Sequence, residues 1–161
     1  MRVWESSTDA AGLRFAVVVS RFNQPVCERL LEACSGQLLE RGARPGDVHV
    51  AWVPGAFEIP SAARVLAVTG RYHALVALAA VIRGETAHFD YVCRAVTDGV
   101  REVARDTGVP VAFGVLTTED EEQALARAGG REGNKGAEAA RVAIEMARLL
   151  PRLATPPREP A

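Results

Sequence analysis

The apolar patterning of the chain predicts an α/β fold with a parallel sheet covered by helices on both faces, and three observations carry that prediction. Residues 74–82 form an unbroken apolar run of nine, suited to a strand buried on both sides. From Phe89 onward the period changes, and Phe89, Val92, Cys93, Val96, Val100 and Val103 fall on one helical stripe. The same order of apolar run, loop and amphipathic helix occurs four times, the pattern of successive right-handed βαβ crossovers.

Residues 1–13 are weakly patterned, with a short strand expected around Arg2-Val3-Trp4. Phe15 to Val19 is the first buried strand. Ser20 to Asn23 is its loop, and Asn23 followed by Pro25 reads as a capping amide ahead of a first-turn proline. Leu30, Leu31, Cys34, Leu38 and Leu39 give the helix its inward face, and Gly42 ends it. The second unit runs from strand Val48–Val53 through loop Pro54–Glu58 to a helix from about Ile59 that stops at Gly70. The third joins strand 74–82 to a helix ending at Gly108. The fourth has a strand from Val111 to Leu116, then Thr118 and Glu121 spaced as a capping box over an acidic first turn, and a helix to about Ala128. Gly129 to Gly136 holds four glycines in eight residues, too many for a helix interior, so a turn is expected before the last helix. Ala140, Ala143, Ile144 and Ala147 line that helix. The expected architecture is a flavodoxin-like three-layer sandwich with a four-stranded parallel sheet in the order 2-1-3-4. It forms one domain over 1–150, and a disordered proline-rich tail is expected over 151–161.

With 161 residues the chain can bury a core without staples. Nineteen basic and twenty acidic residues leave a net charge of −1, which argues against a nucleic-acid or membrane partner and for small-molecule ligands. No apolar run approaches a membrane span and no signal-peptide layout is seen, so a cytoplasmic location is expected. Cys27, Cys34 and Cys93 lie on apolar helical stripes without metal-ligand spacing, which points to packing roles and to no metal site.

In a parallel sheet the loops after all four strands open on one edge, where ligands of such sheets bind. That edge collects Phe22 and Asn23; Ala56, Phe57 and Glu58; Glu85, Thr86 and His88; and Phe113, expected near the end of the fourth strand, with Arg127, Arg131 and Lys135 shortly after. Aromatic faces, a carboxylate, an imidazole and cations suit a planar heterocycle with a polyol arm and a phosphate-bearing partner. Plainer readings exist for each residue. Phe22 and Phe57 can cap the core, Glu58 can serve the helix dipole, and Arg127 can hold a helix end. His88 can be a solvated residue, although histidines at helix N-termini are favoured in the neutral form that acts as a base. Gly84-Glu85-Thr86 ahead of a helix offers backbone donors to an anion. No nucleotide-binding glycine fingerprint and no phosphate-loop lysine are present, so the residues themselves lead as far as a cofactor-independent small-molecule site.

Five motifs then carry a resemblance. Ser20-Arg21-Phe22-Asn23, Pro54-Gly55-Ala56-Phe57-Glu58-Ile59-Pro60, Val81-Ile82-Arg83-Gly84-Glu85-Thr86 with His88-Phe89-Asp90-Tyr91-Val92, Phe113-Gly114-Val115-Leu116-Thr117-Thr118, and Arg127-Ala128-Gly129 with Gly133-Asn134-Lys135-Gly136 resemble, in order, the signatures of the lumazine synthase family. The resemblance spans about residues 13 to 150. It implies condensation of 5-amino-6-(ribitylamino)uracil with 3,4-dihydroxy-2-butanone 4-phosphate to give 6,7-dimethyl-8-ribityllumazine, phosphate and water, without metal or organic cofactor. It implies that Phe22 stacks on the pyrimidine, that Asn23 and Glu58 hold ribityl hydroxyls, and that backbone around Ala56, Phe57, Val81 and Ile82 reads the ring edge. Gly84, Glu85 and Thr86 would seat the phosphate with Arg127 as its cation, and His88 would move protons. Phe113 and Lys135 would come from a neighbouring subunit of a pentamer.

In the family it resembles, a short link between the last two helices goes with pentamers joined into a sixty-subunit shell and a longer one with single pentamers. The link here is short, so the resemblance implies the shell, with riboflavin synthase as an enclosed partner and the single pentamer as the alternative. Ala79-Ala80, Ala87 and Arg131 depart from the residues commonest in the family, and the first of these bears on ring affinity.

Overall fold

The computed structural model of the protein describes residues 3–155. Its centre is β1 (Phe15–Ser20), flanked by β2 (Val48–Val53) on one side and β3 (Ala74–Ile82) on the other. β4 (Val111–Thr118) pairs with β3, so the sheet has the order β2-β1-β3-β4, with all pairs parallel. This is the predicted order. It follows from the crossovers: α1 (Gln24–Glu40) returns the chain to one outer position, and the connection from β2 carries it past β1 to the other.

Because successive strand residues point to opposite faces, the sheet divides its apolar residues into two cores. Phe15, Val17 and Val19 of β1 and Val76 and Leu78 of β3 pack against α1 and α5 (Lys135–Ala154). Ala16, Val18, Leu75, Ala77 and Ala79 face α2 (Ile59–Ala67) and α3 (His88–Thr107). Every residue of β1 is buried, as are all of β3 but its last, which accounts for runs without polar alternation. Along α1 the inward residues are Val26, Cys27, Leu30, Cys34 and Leu38; Leu39, expected on that face, is exposed because it lies one position past the stripe.

The structure corrects several local expectations. Val3 and Trp4 form no strand. The fourth helix, α4 (Glu121–Ala126), is capped by Asp120, not Thr118: Asp120 Oδ1 accepts from the Gln123 amide at 2.8 Å, and Gln123 Oε1 accepts from the Glu119 amide at 3.0 Å. Thr118 is unavailable because β4 runs two residues further than expected. The glycine-rich turn is a small antiparallel hairpin of β5 (Ala128–Gly130) and β6 (Gly133–Asn134), and Asn134 caps α5 through the amides of Gly136 and Ala137.

Residues 151–154, assigned to the tail from their proline, belong to α5. Pro151 removes one helix bond close to the end, and arginines hold that end in place. Arg148 donates to the carbonyls of Asp9 and Ala11 at 2.8 and 2.6 Å, and Arg152 donates to the carbonyl of Glu5. The expected tail residues 156–161 lie outside the described residues.

Burial pushes the Cys27 thiol up to about 11 and Cys34 up to about 12, and it raises Cys93 as well. Thiolates are the reactive form. A maleimide at about pH 8 is therefore expected to label at most one of the three thiols, Cys93, in the native protein, and all three in denaturant. Rapid native labelling of Cys27 or Cys34, read by peptide mass spectrometry, would contradict the burial.

Candidate active site

A cleft of about 670 Å³ opens across the carboxyl ends of β1, β2 and β3. Its walls come from three loops whose local geometry the sequence dictates. At the end of β1 the Arg21 amide still bonds the Val53 carbonyl at 2.8 Å, and Ser20 Oγ accepts from the Phe22 amide at 3.1 Å, turning the chain so that Phe22 stands 71% exposed. Asn23 follows with φ 59° and ψ 45°, a left-handed conformation that asparagine tolerates. Its side chain does not cap α1, as was expected, because a capping residue needs extended backbone. Asn23 Nδ2 instead donates to the Ala80 carbonyl at 2.7 Å and ties this loop to β3.

The second wall is a single 3₁₀ turn, Ala56–Glu58, after Gly55. It buries Ala56, leaves Phe57 60% exposed, and places Glu58 at the start of α2. A Cβ on Gly55 would stand 3.1 Å from Glu58 Oε2, so glycine there leaves room for the carboxylate. The third wall is the end of β3 with Gly84 to Ala87, where Thr86 Oγ1 accepts from the His88 amide at 3.3 Å. His88 is the first residue of α3 and is exposed.

Nine predicted residues line this cleft: Phe22, Ala56, Phe57, Glu58, Val81, Ile82, Gly84, Thr86 and His88. Five do not. Asn23 and Glu85 are adjacent in sequence to lining residues. Phe113 is the third residue of β4, paired with Ala77 and 39% exposed on the edge strand, so it lies well before the strand's carboxyl end where it was expected. Arg127 donates to the Gln123 carbonyl at 3.0 Å, and Lys135 Nζ donates to Glu138 Oε2 at 2.6 Å, both among elements beyond β4.

Sequence reading missed Ser20, Gly55, Ala80, Phe89 and Val92 as lining residues. Phe89 and Val92 are three apart on the expected helical stripe just after His88, which was the available signal. Ser20 and Gly55 stand in the quoted motifs beside predicted residues, and Ala80 figured only as a departure bearing on ring affinity.

Chemically the lining offers one carboxylate, one imidazole, two hydroxyls and otherwise apolar or backbone surface. That suits a flat, partly polar ring beside a group able to transfer protons. Neither lysine nor arginine lines it among the described residues. Nor do the described residues contain a group of three or more His, Cys, Asp or Glu placed to hold a metal ion, and no described helix is long and apolar enough to cross a membrane.

Fold and cleft together define an α/β protein with a cleft at the carboxyl edge of a parallel sheet, the place where sheets of this kind bind ligands. The family model described as 6,7-dimethyl-8-ribityllumazine synthase matches residues 12–151. The chain belongs to that family, whose enzymes form the lumazine of riboflavin biosynthesis.

Proposed function

We propose that the protein is a cytoplasmic transferase that condenses 5-amino-6-(ribitylamino)uracil with 3,4-dihydroxy-2-butanone 4-phosphate, giving 6,7-dimethyl-8-ribityllumazine, inorganic phosphate and water. The observation that carries this reading is an incomplete site. The cleft has a carboxylate, an imidazole and two exposed aromatic rings but no cation for a phosphate, while Phe113, Arg127 and Lys135 sit elsewhere on the same chain. A second copy that set those residues against the cleft would complete it.

In the completed site Phe22 stacks on the pyrimidine and Glu58 accepts from ribityl hydroxyls, with Asn23 beside it. Backbone groups around Ala56, Phe57, Val81 and Ile82 read the ring edge. Gly84, Glu85 and Thr86 seat the phosphate with Arg127 of the neighbour, and Phe113 and Lys135 of the neighbour close the cleft. An amine of the uracil attacks the ketone carbonyl and loses water as an imine. Removal of a proton expels phosphate, and the second amine closes the ring with loss of water. His88 carries protons in these steps, and no metal or organic cofactor takes part. The main service is positioning two reactants that meet slowly in water.

Closed symmetry limits the assembly to discrete masses. Five chains of 17.2 kDa make about 86 kDa and sixty make about 1.03 MDa. The short β5–β6 hairpin between α4 and α5 adds no protruding insertion, which favours the shell, with riboflavin synthase as its enclosed partner. The test is to mix purified protein with both substrates and follow the fluorescent lumazine, with light scattering on the same sample. Product and a species near 1.03 MDa are expected. Binding of riboflavin without turnover would replace the enzyme by a container, and a monomer would remove the shared site.

A further inference from the structure

We infer that Arg83 is a positioning residue for the loop that seats the phosphate, acting through Glu119 and Asp90 and not as a ligand. Three elements meet at its guanidinium. Arg83 Nε is 2.7 Å from Glu119 Oε2, just after β4, and Nη1 is 3.5 Å from Asp90 Oδ1 in the first turn of α3. The Arg83 Cζ atom stands 4.3 Å from the centre of the Phe89 ring, which lines the cleft. Its backbone amide donates to the Thr118 carbonyl at 2.9 Å and continues the β3–β4 ladder one residue past Ile82.

Glu119 is itself held, its amide donating to Gln123 Oε1 at 3.0 Å. The carboxylate therefore reaches Arg83 from the segment after β4, whose backbone is tied to α4. Arg83 stands immediately before Gly84, and Asp90 two residues beyond His88, so the arginine brackets both ends of the segment that carries Gly84, Thr86 and His88. The hydrogen bonds of Thr86 and Ala87 are local, to the amides of His88 and Asp90. Among the described residues, the polar contacts that tie the ends of this exposed segment to the strand and loop of β4 are those of Arg83. A planar fork that binds two carboxylates and stacks on a ring is a geometry that lysine cannot reproduce.

This role rests on the condensation proposed above, and the experiment separates the two. Arg83→Met, Glu119→Gln and the double variant are compared with wild type in the full-length protein. The readouts are KM for each substrate, kcat, and hydrogen exchange of peptides covering residues 84–92. Exposed ion pairs add little global stability, so Tm is expected to stay within about 2 °C. Both single variants are expected to raise KM for the butanone phosphate by about tenfold with little effect on the uracil, because a shifted loop misplaces its donors. The double variant is expected to be no worse than either single one, as for partners in one network. Exchange over 84–92 should quicken in all three.

If Arg83 bound phosphate directly, Glu119→Gln would leave the KM unchanged or lower it by freeing the guanidinium, and that result overturns the inference. Unchanged kinetics in all variants overturns it equally. If wild type forms no lumazine, the condensation reading fails, and the exchange data alone decide: unaltered exchange over 84–92 refutes the positioning role and faster exchange upholds it.

Discussion

Gly136→Ala is expected to lower the stability of the protein by about 3 kcal/mol or more, at or beyond the upper end of the range for overpacked cores. A Cβ at that position would stand 2.0 Å from the Leu30 carbonyl oxygen, 2.7 Å from its carbon and 2.9 Å from Leu30 Cα. All three obstacles are backbone of α1, so no rotamer change relieves the collision. The helices would have to separate along the seam where Leu30, Cys34, Ala139, Ala140 and Ala143 are buried, opening the larger of the two cores. At about 2–4 °C per kcal/mol for a chain of this size, Tm should fall by about 6–12 °C. Gly36→Ala is the control, since it lies on α1 with nothing within 4 Å of the new Cβ; it is expected to raise stability by about 0.5–1 kcal/mol. Scanning calorimetry showing equal Tm for both variants would mean that α1 and α5 do not approach so closely.

His88→Ala is expected to slow lumazine formation by about 10²–10⁴-fold while leaving Tm and assembly mass unchanged. The imidazole is exposed and makes no packing contact that the core depends on, and the backbone bond from the His88 amide to Thr86 Oγ1 does not need the side chain. Positioning by the rest of the site survives, so the loss should lie toward the lower end of that range. Single-turnover rates at saturating substrate are the measurement. Rates equal to wild type between about pH 6 and 8, where a histidine changes charge, would remove the proton-transfer role.

Much of the site was legible because it sits where periodicity changes. The end of the apolar run at Ile82 and the start of the stripe at Phe89 mark a strand end and a helix start, and the loop between them supplies Gly84, Thr86 and His88 to the cleft. Phe22 and Phe57 were legible as residues of the loops that follow β1 and β2, which open on the same edge.

Side chains that answer to distant partners were less legible. Asn23 in front of Pro25 has the form of a helix cap, yet its amide serves the Ala80 carbonyl, 57 positions away in sequence. Thr118 and Asp120 are both good caps, and the choice between them depended on how far β4 stays paired with β3. Pro151 read as a stop, but one missing bond near a helix end was outweighed by the arginine contacts to the N-terminal segment. Phe113 was expected near the end of β4 although the expected strand Val111–Leu116 already left three residues beyond it, and β4, running on to Thr118, sets it further still from the carboxyl edge.

By itself the sequence determined the four βαβ-type units, the burial of β1 and β3, the sheet order and the edge on which the candidate cleft opens. These depend on hydrophobic period and on the handedness of crossovers, which are local properties of the chain. Only the tertiary structure decided which of the pooled residues share one cleft, where Asn23 and Arg83 spend their hydrogen bonds, and that α1 and α5 meet backbone to backbone at Gly136. Those outcomes are set by register and by the spacing of packed elements, where a shift of one residue or one ångström changes the partner, and no pattern within a short window records them.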